Sequence, residues 1–338
     1  MNPLPNSRIE KLALWKMSKF LNFQYHAISG QRETETAMVT PFPTRTPVPR
    51  TLVFIHSENR SGSTWLSYVL GSHPAAAHLG EYYRPFIYEN HTACRLCEAK
   101  GLAECEVLHG IEHVEKQFAH DFAFQRMRKP ILIDSSKLLD WTSQFLDQDR
   151  FPVRVIHLIR DPRGWFASER RRTPMSVEAA MQCWLGANRC LKEFFESHEL
   201  PYFTTFYDEL TIQPEVYFPP LCEFLGMTFD QAALQYWNYE HHGLGGNGAA
   251  FNVIGRYEKA VIVTGDDSFY KTHAGHSFYD ARWSGQLNSD ERAAIEQSPE
   301  IRQMLGQYGR DLPHFDRLMA GYLAGQGHAA HRLACASS

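Results

Sequence analysis

The stretch TLVFIHSENRSGSTWLSYVL, residues 51–70, reads as a buried strand, a turn of glycine and hydroxyl residues, and the opening of a helix. TLVFIH is a continuous run without alternation, the pattern of a strand covered on both faces. Three runs of the same kind follow, ILIDSS (131–136), VRVIHLIR (153–160) and PYFTTFY (201–207), with AAAHLG (75–80) a weaker fifth. Helices are expected between them at 63–72, 112–126, 139–147, 163–172 and 176–197. This repetition predicts an α/β three-layer sandwich with a central parallel sheet and right-handed crossovers. A helical C-terminal part follows, with helices at 215–226, 229–238 and 289–306 around a glycine-rich loop, HHGLGGNGAAF (241–251). Ligands of such sheets bind at the carboxyl ends of the strands, so chemistry is sought there.

Around this unit, residues 1–50 form an arm in which Ser7 to Phe23 has an imperfect apolar stripe and 41–50 carries four prolines. The arm either packs on its own domain or is exchanged in a homodimer. The domain proper runs over 51–312 with a cysteine-containing insertion at 84–115, and 313–338 is a helix and tail. With 338 residues, 43% hydrophobic and 21% charged, the chain can bury a sizeable core. A net charge of −4 gives no global basic field for nucleic acid or a membrane surface. The longest apolar runs fall far short of the ~20 residues that span a bilayer, and the N-terminal stretch does not read as a secretory signal. Seven cysteines, an odd number without a disulfide framework, agree with a cytoplasmic location.

Two anion-binding elements stand out. The loop Arg60-Ser61-Gly62-Ser63-Thr64-Trp65 lies between strand and helix, where backbone N–H groups and the helix dipole favour an anion. It lacks the spacing of a Walker A loop, and Arg60 supplies the fixed charge. VRVIHLI ends at Arg160, followed by Asp161 and Pro162, a good cap and first helical residue. Ser168 lies about two turns along that helix and can join Arg160 on one anion. Between 150 and 172 there are seven arginines against Asp161 and Glu169, a local basic surplus in an acidic chain.

RSGSTW (60–65) and LIRDPRGWFAS (158–168) resemble the two cofactor signatures of sulfotransferases that use 3′-phosphoadenosine-5′-phosphosulfate (PAPS). The resemblance implies a P-loop-like fold and transfer of a sulfuryl group to a hydroxyl on a carbohydrate, lipid or small molecule, leaving adenosine 3′,5′-bisphosphate (PAP). It puts the 5′-phosphosulfate on the first loop and the 3′-phosphate on Arg160 and Ser168. FYDEL (206–210) is similar to the element whose tyrosine lies by the adenine, which gives that place to Tyr207, with Trp65 packing on the same base. Gly246 and Asn247 resemble a stretch of bacterial members that lies near the cofactor or the acceptor; the arginine expected soon after is missing, with Arg256, Lys271 and Arg282 as replacements. DARWSGQL (280–287) resembles a C-terminal segment in which Trp283 is a core residue. No magnesium is expected, since arginine, lysine and helix ends can neutralise a phosphosulfate. An unrelated P-loop phosphotransferase and a non-catalytic nucleotide-binding module are the competing readings.

Sulfuryl transfer needs a base and positive charge at the leaving phosphate. Glu81, at the carboxyl edge after the second strand, has a spacing from the loop similar to the catalytic glutamate of Golgi-type members; its alternative is an ion pair with Arg84, and His73 and His78 stand in reserve. Lys137 takes the place of a family lysine near the bridging oxygen, helped by Ser135 or Ser136, or else pairs with Asp134 or Asp140. The aromatic stretch EYYRPFIYE (81–89) suggests stacking on an acceptor, or plain packing. Cys94, Cys97, Cys105 and His109 carry the donor set of a structural zinc, with His91 or His113 as substitutes for His109 and a reduced loop or a disulfide as the alternatives.

Overall fold

The computed structural model describes residues 50–88, 91–146, 150–254 and 267–336. The N-terminal arm, and with it the Ser7 to Phe23 helix and the exchange reading, lies outside them, as does Arg256.

Five strands form one parallel sheet: β1 (Thr51–His56), β2 (Ala76–Gly80), β3 (Ile131–Asp134), β4 (Val153–Ile159) and β5 (Tyr202–Phe206), in the order β2-β3-β1-β4-β5. All six residues of β1 are buried, as its unbroken apolar run requires. Its register sets Phe54 beside Asp134 on β3 and His56 beside His157 on β4. The strand tips that carry the two anion elements are therefore neighbours. On β4, Ile156 and Leu158 join one hydrophobic cluster while Val155 and Ile159 join two others. Alternate residues of a strand point to opposite faces, so the sheet is covered on both sides. The helix Ser63–Gly71 packs in the first cluster through Leu66 and Leu70; the helix Val177–Ser197 packs in the others through Trp184 and Leu191. This is the three-layer α/β sandwich the sequence predicts.

The helical expectations hold less evenly. The stretch 112–126 is two 3-10 turns followed by the helix Ala119–Met127, because Val114 and Glu115 are extended. The helix expected at 229–238 is likewise two 3-10 turns, Gln231–Leu234 and Tyr236–Asn238. The 289–306 segment is two helices divided at Ser298-Pro299, where the Ser298 hydroxyl accepts from Ile301 N. Within the glycine-rich loop, Gly248–Ile254 is helical. No described helix is long and apolar enough to cross a membrane.

Candidate active site

Beyond the carboxyl ends of the strands lies a cavity of about 350 Å³. In its lining Gly62 takes the left-handed conformation, φ 94°, and starts the helix Ser63–Gly71, whose first-turn N–H groups have no partner within the helix. A Cβ on Gly62 would come within 2.4 Å of Cδ2 of Tyr207. The absence of that carbon lets the Tyr207 ring close on the loop. Tyr207 meets Trp65 edge to face at 5.5 Å, and the Arg160 guanidinium lies 4.9 Å above its centroid. The three side chains make one wall.

Arg160 leaves the tip of β4 and is almost wholly buried. Its Nη1 donates to the carbonyl of Arg60 at 3.1 Å, which ties the two anion elements together. Its Nη2 is 3.6 Å from Asp280, and among the described residues its Nε has no hydrogen-bond partner. Asp280 gathers Arg171 as well, at 3.6 Å, and Arg282 at 2.7 Å. Burial would raise its carboxyl, but the three guanidinium groups, Arg282 foremost, hold it at about 2. Arg60 is 3.8 Å from Glu169.

On the other side Glu81 follows β2 directly. Its Oε1 is 3.3 Å from Lys137 Nζ, and its Oε2 accepts from Arg84 Nε at 2.8 Å. Burial pushes this carboxyl up, yet Lys137 and Arg84 outweigh that and keep it below the ordinary glutamate value. Lys137 also donates to Ser63 Oγ at 3.4 Å, which bridges the carboxylate to the loop 60–65. Asn247 N donates to Thr64 Oγ1 at 3.1 Å and ties the glycine-rich loop to the start of the helix Ser63–Gly71. Four cations, Arg60, Lys137, Arg160 and Arg172, face two carboxylates, Glu81 and Asp280, in the lining.

Of the residues singled out from sequence, Arg60, Gly62, Ser63, Thr64, Trp65, Glu81, Lys137, Arg160, Ser168, Tyr207 and Asn247 all line this one cavity. Ser61 is buried and does not. Both readings of Glu81 meet in one geometry, since it faces the cavity and is paired with Arg84. Ser136 is engaged by Asp134 through its N–H and its hydroxyl, and Ser135 N donates to Gly80 O. Asp134 is taken up by His120 and Trp141, which leaves Lys137 to Glu81. His78 is fully buried, with its Nδ1 2.6 Å from Ser67 Oγ, and His73 lies outside the lining. Arg282 is paired with Asp280, and neither it nor Lys271 lines the cavity.

The basic surplus also resolves differently from its sequence reading. Arg163 is buried against Asp161, Glu296 and Asp316; Arg150 pairs with Asp121 and Arg170 with Glu291. Only Arg160 and Arg172 of the seven reach the cavity. Tyr82 is buried with its hydroxyl on Ala119 O, so the aromatic stretch after Glu81 is packing there. Trp283 is buried, as expected, with Arg163 4.4 Å above its ring.

Sequence reasoning missed Asp280, Arg172, Tyr236, Tyr270 and His276 in the lining. Arg172 carried a signal, since it lies one helical turn beyond Ser168; Asp280 stood in a quoted segment without a role. The zinc donor set is corrected at one position. His242, not His109, joins Cys94, Cys97 and Cys105, while His109 Nδ1 sits 3.1 Å from Glu104.

No curated protein matches the chain. Among solved structures it is similar to the sulfotransferase domain from the Synechococcus PCC 7002 olefin synthase, at 20% identity and TM-score 0.47, over 78% of this chain and 96% of that one. It is similar also to the sulfotransferase domain from the curacin biosynthetic pathway, at 16% and 0.46, over 79% and 100%. Mouse sulfotransferase SULT7A1 complexed with PAP is a third, at 9% and 0.37, over 82% and 89%. The profile of the sulfotransferase family matches residues 53–231, more than half of the sequence. That span holds the loop 60–65, Glu81, Lys137, Arg160 and Tyr207 in one run, and the chain belongs to the sulfotransferase family.

Proposed function

We propose that the protein moves the sulfuryl group of PAPS to a hydroxyl acceptor and releases PAP. One observation carries this reading: Arg60 and Arg160, from the tips of adjacent strands, are joined through a hydrogen bond at the rim of one cavity. That arrangement suits a ligand anionic at two ends. The N–H groups of the Ser63–Gly71 helix and Arg60 take the 5′-phosphosulfate, Arg160 and Ser168 the 3′-phosphate, and Trp65 and Tyr207 the adenine, with Asn247 closing over the loop. Both carboxylates of the lining are engaged by arginine or lysine, which supports neutralisation by side chains without magnesium.

In the transfer step the acceptor oxygen attacks sulfur in line while the bond from sulfur to the bridging oxygen breaks. The leaving electron pair stays on the 5′-phosphate oxygen of PAP, where Lys137 meets the charge, and the acceptor proton goes to Glu81. Glu81 is held ionised by Lys137 and Arg84, so it is ready to accept that proton. As Lys137 turns to the bridging oxygen, Oε1 of Glu81 is released. Cys94, Cys97, Cys105, Cys190 and Cys222 are free thiols, which supports a cytoplasmic location.

The test has two arms. Calorimetry is expected to show PAP binding that Arg160→Ala weakens by at least about 100-fold, roughly 3 kcal/mol, the scale of one charge-assisted contact to a buried anion. Incubation of an acceptor library with PAPS, read by mass spectrometry, is expected to yield a product heavier by one sulfuryl group. Binding of magnesium-ATP in preference to PAP would identify a phosphotransferase instead. PAP binding with no sulfated product from any acceptor would leave a binding module.

A further inference from the structure

Away from the cavity, three thiols from the 84–115 insertion converge on an imidazole from the glycine-rich loop. Cys94, Cys97 and Cys105 are 2%, 3% and 8% exposed, and all are free thiols. His242 Nδ1 lies 3.4 Å from Cys97 Sγ and 3.2 Å from Cys105 Sγ. All four donor atoms fall within 4.8 Å of one another. A tetrahedral zinc with bonds of about 2.3 Å to sulfur and 2.0 Å to nitrogen sets its ligands about 3.5–3.8 Å apart. The two His242 contacts are near that spacing, and the 4.8 Å limit of the cluster leaves about 1 Å for the ligands to close on an ion.

Neither competing explanation accounts for the arrangement. A disulfide would use two sulfurs and strand a third beside an imidazole. Apolar packing gives no reason for a ring nitrogen to face buried sulfur, since burying polar groups is costly without a partner. The surroundings are those of a ligand set. Cys94 opens the helix Arg95–Ala99 and places Cys97 on its first turn, the Cys-x2-Cys bite of structural zinc sites. The far nitrogen of His242 faces Glu240 at 4.0 Å, and Glu240 is itself paired with Lys100 of the insertion. A carboxylate behind a ligand histidine is the usual outer support of a metal-bound imidazole.

We infer that Cys94, Cys97, Cys105 and His242 form a structural zinc site that clips the insertion to the glycine-rich loop, part of which lines the cavity. His242 precedes a short run whose contacts reach the cavity. Leu244 pairs with Gly80 at the end of β2, and its carbonyl accepts from Glu81 N. Asn247 N reaches Thr64 of the phosphate loop. A metal on His242 fixes one end of that run from a ligand 137 positions earlier in the chain, where loop closure without a clip is entropically unfavourable. The metal takes no part in chemistry, because its four protein ligands leave no open position.

Metal content tests this without reading enzyme activity, so its outcome is separate from that of the sulfuryl-transfer reading. Full-length protein purified without added metal is expected to hold one zinc per chain by plasma mass spectrometry. His242→Ala is expected to lower zinc affinity at least about 100-fold, the upper end for losing even an outer partner, while His109→Ala leaves it unchanged. Because cysteine variants can misfold, the second measurement uses the wild-type chain stripped by chelator and reloaded with cobalt(II). It is expected to give the intense bands of a tetrahedral thiolate site, lost in His242→Ala. Chelation is also expected to speed hydrogen exchange at Leu244 and Asn247. A chain that takes up neither zinc nor cobalt, a mapped Cys94–Cys97 disulfide, or metal lost in His109→Ala and kept in His242→Ala each overturns the assignment. Unchanged exchange at Leu244 and Asn247 after chelation overturns the clip.

Discussion

Arg60 and Lys137 carry two of the cavity's cations on left-handed backbone, at φ 71° and 61°. Each such conformation costs about 1–3 kcal/mol in a residue with a Cβ, and the parallel strands behind them hold it. Gly62 adopts the same region at φ 94° with a further steric reason, the Tyr207 ring lying where its Cβ would be. Gly62→Ala is expected to lower stability by about 1–3 kcal/mol in urea unfolding and to weaken PAP binding in calorimetry, since Tyr207 must leave its place beside Trp65. Glu81 permits a sharper test. Burial would lift its carboxyl, and Lys137 with Arg84 holds it below the ordinary value of 4.5. A base of that kind stays ionised through neutral pH, so the acid limb of kcat/KM lies below that value. Arg84→Ala removes one of the two restraining cations, burial gains ground, and the limb moves to higher pH. Glu81→Gln is expected to bind PAP and lose turnover. A limb unmoved by Arg84→Ala shows that another group takes the proton.

The elements were legible where one physical rule dominated. β1 and β4 are buried on both faces, so their apolar runs could be read directly, and the cap at Asp161 with Pro162 behind it announced the next helix. Expectation failed where tertiary contacts chose between helix and turn, as at Val114 and Glu115, or where the partner was remote. His242 gave no sign of meeting Cys105, since no local spacing encodes a contact between distant segments, whereas His109 offered the familiar interval. The basic surplus misled for a similar reason: Glu296 and Asp316, which neutralise Arg163, come from C-terminal helices. That buried arginine makes the junction between β4 and the helix Pro162–Arg170 the structurally most exacting element. The Asp161 carboxylate caps the helix through Arg163 N at 2.8 Å and binds the Arg163 guanidinium at 2.8 Å. Asp161→Ala removes the cap and half of a fully buried ion pair, and is expected to destabilise by about 3–5 kcal/mol in urea unfolding. A loss below 1 kcal/mol would mean that Glu296 and Asp316 alone satisfy Arg163.

At the scale of the whole molecule, the C-terminal segment is fastened by ion pairs that each have at least one buried partner. Asp280 reaches Arg160 at the tip of β4, Arg163 reaches Glu296 and Asp316, and Glu209 binds Arg310 and His314. Such a molecule should reveal its wiring in acid. The Asp280 carboxyl is held at about 2 against an ordinary 3.8, so its stabilising effect is complete above 3.8 and is lost as pH falls towards 2. That difference corresponds to about 2 kcal/mol. Asp208 works in the opposite sense. Its buried carboxyl, beside Asp161, is raised to about 6, so the stability it contributes is present below 3.8 and lost as pH rises through 6. Urea unfolding of the wild type should therefore gain from Asp208 as pH falls from 6 towards 3.8 and then weaken from Asp280 below it. Asp280→Asn separates the two. It is expected to be less stable than the wild type by at least about 2 kcal/mol at neutral pH, and the gap should close as pH approaches 2. A gap that stays constant across that range would show that Asp280 gains nothing from its three arginines, and that the other ion pairs and apolar packing hold the C-terminal segment to the sheet.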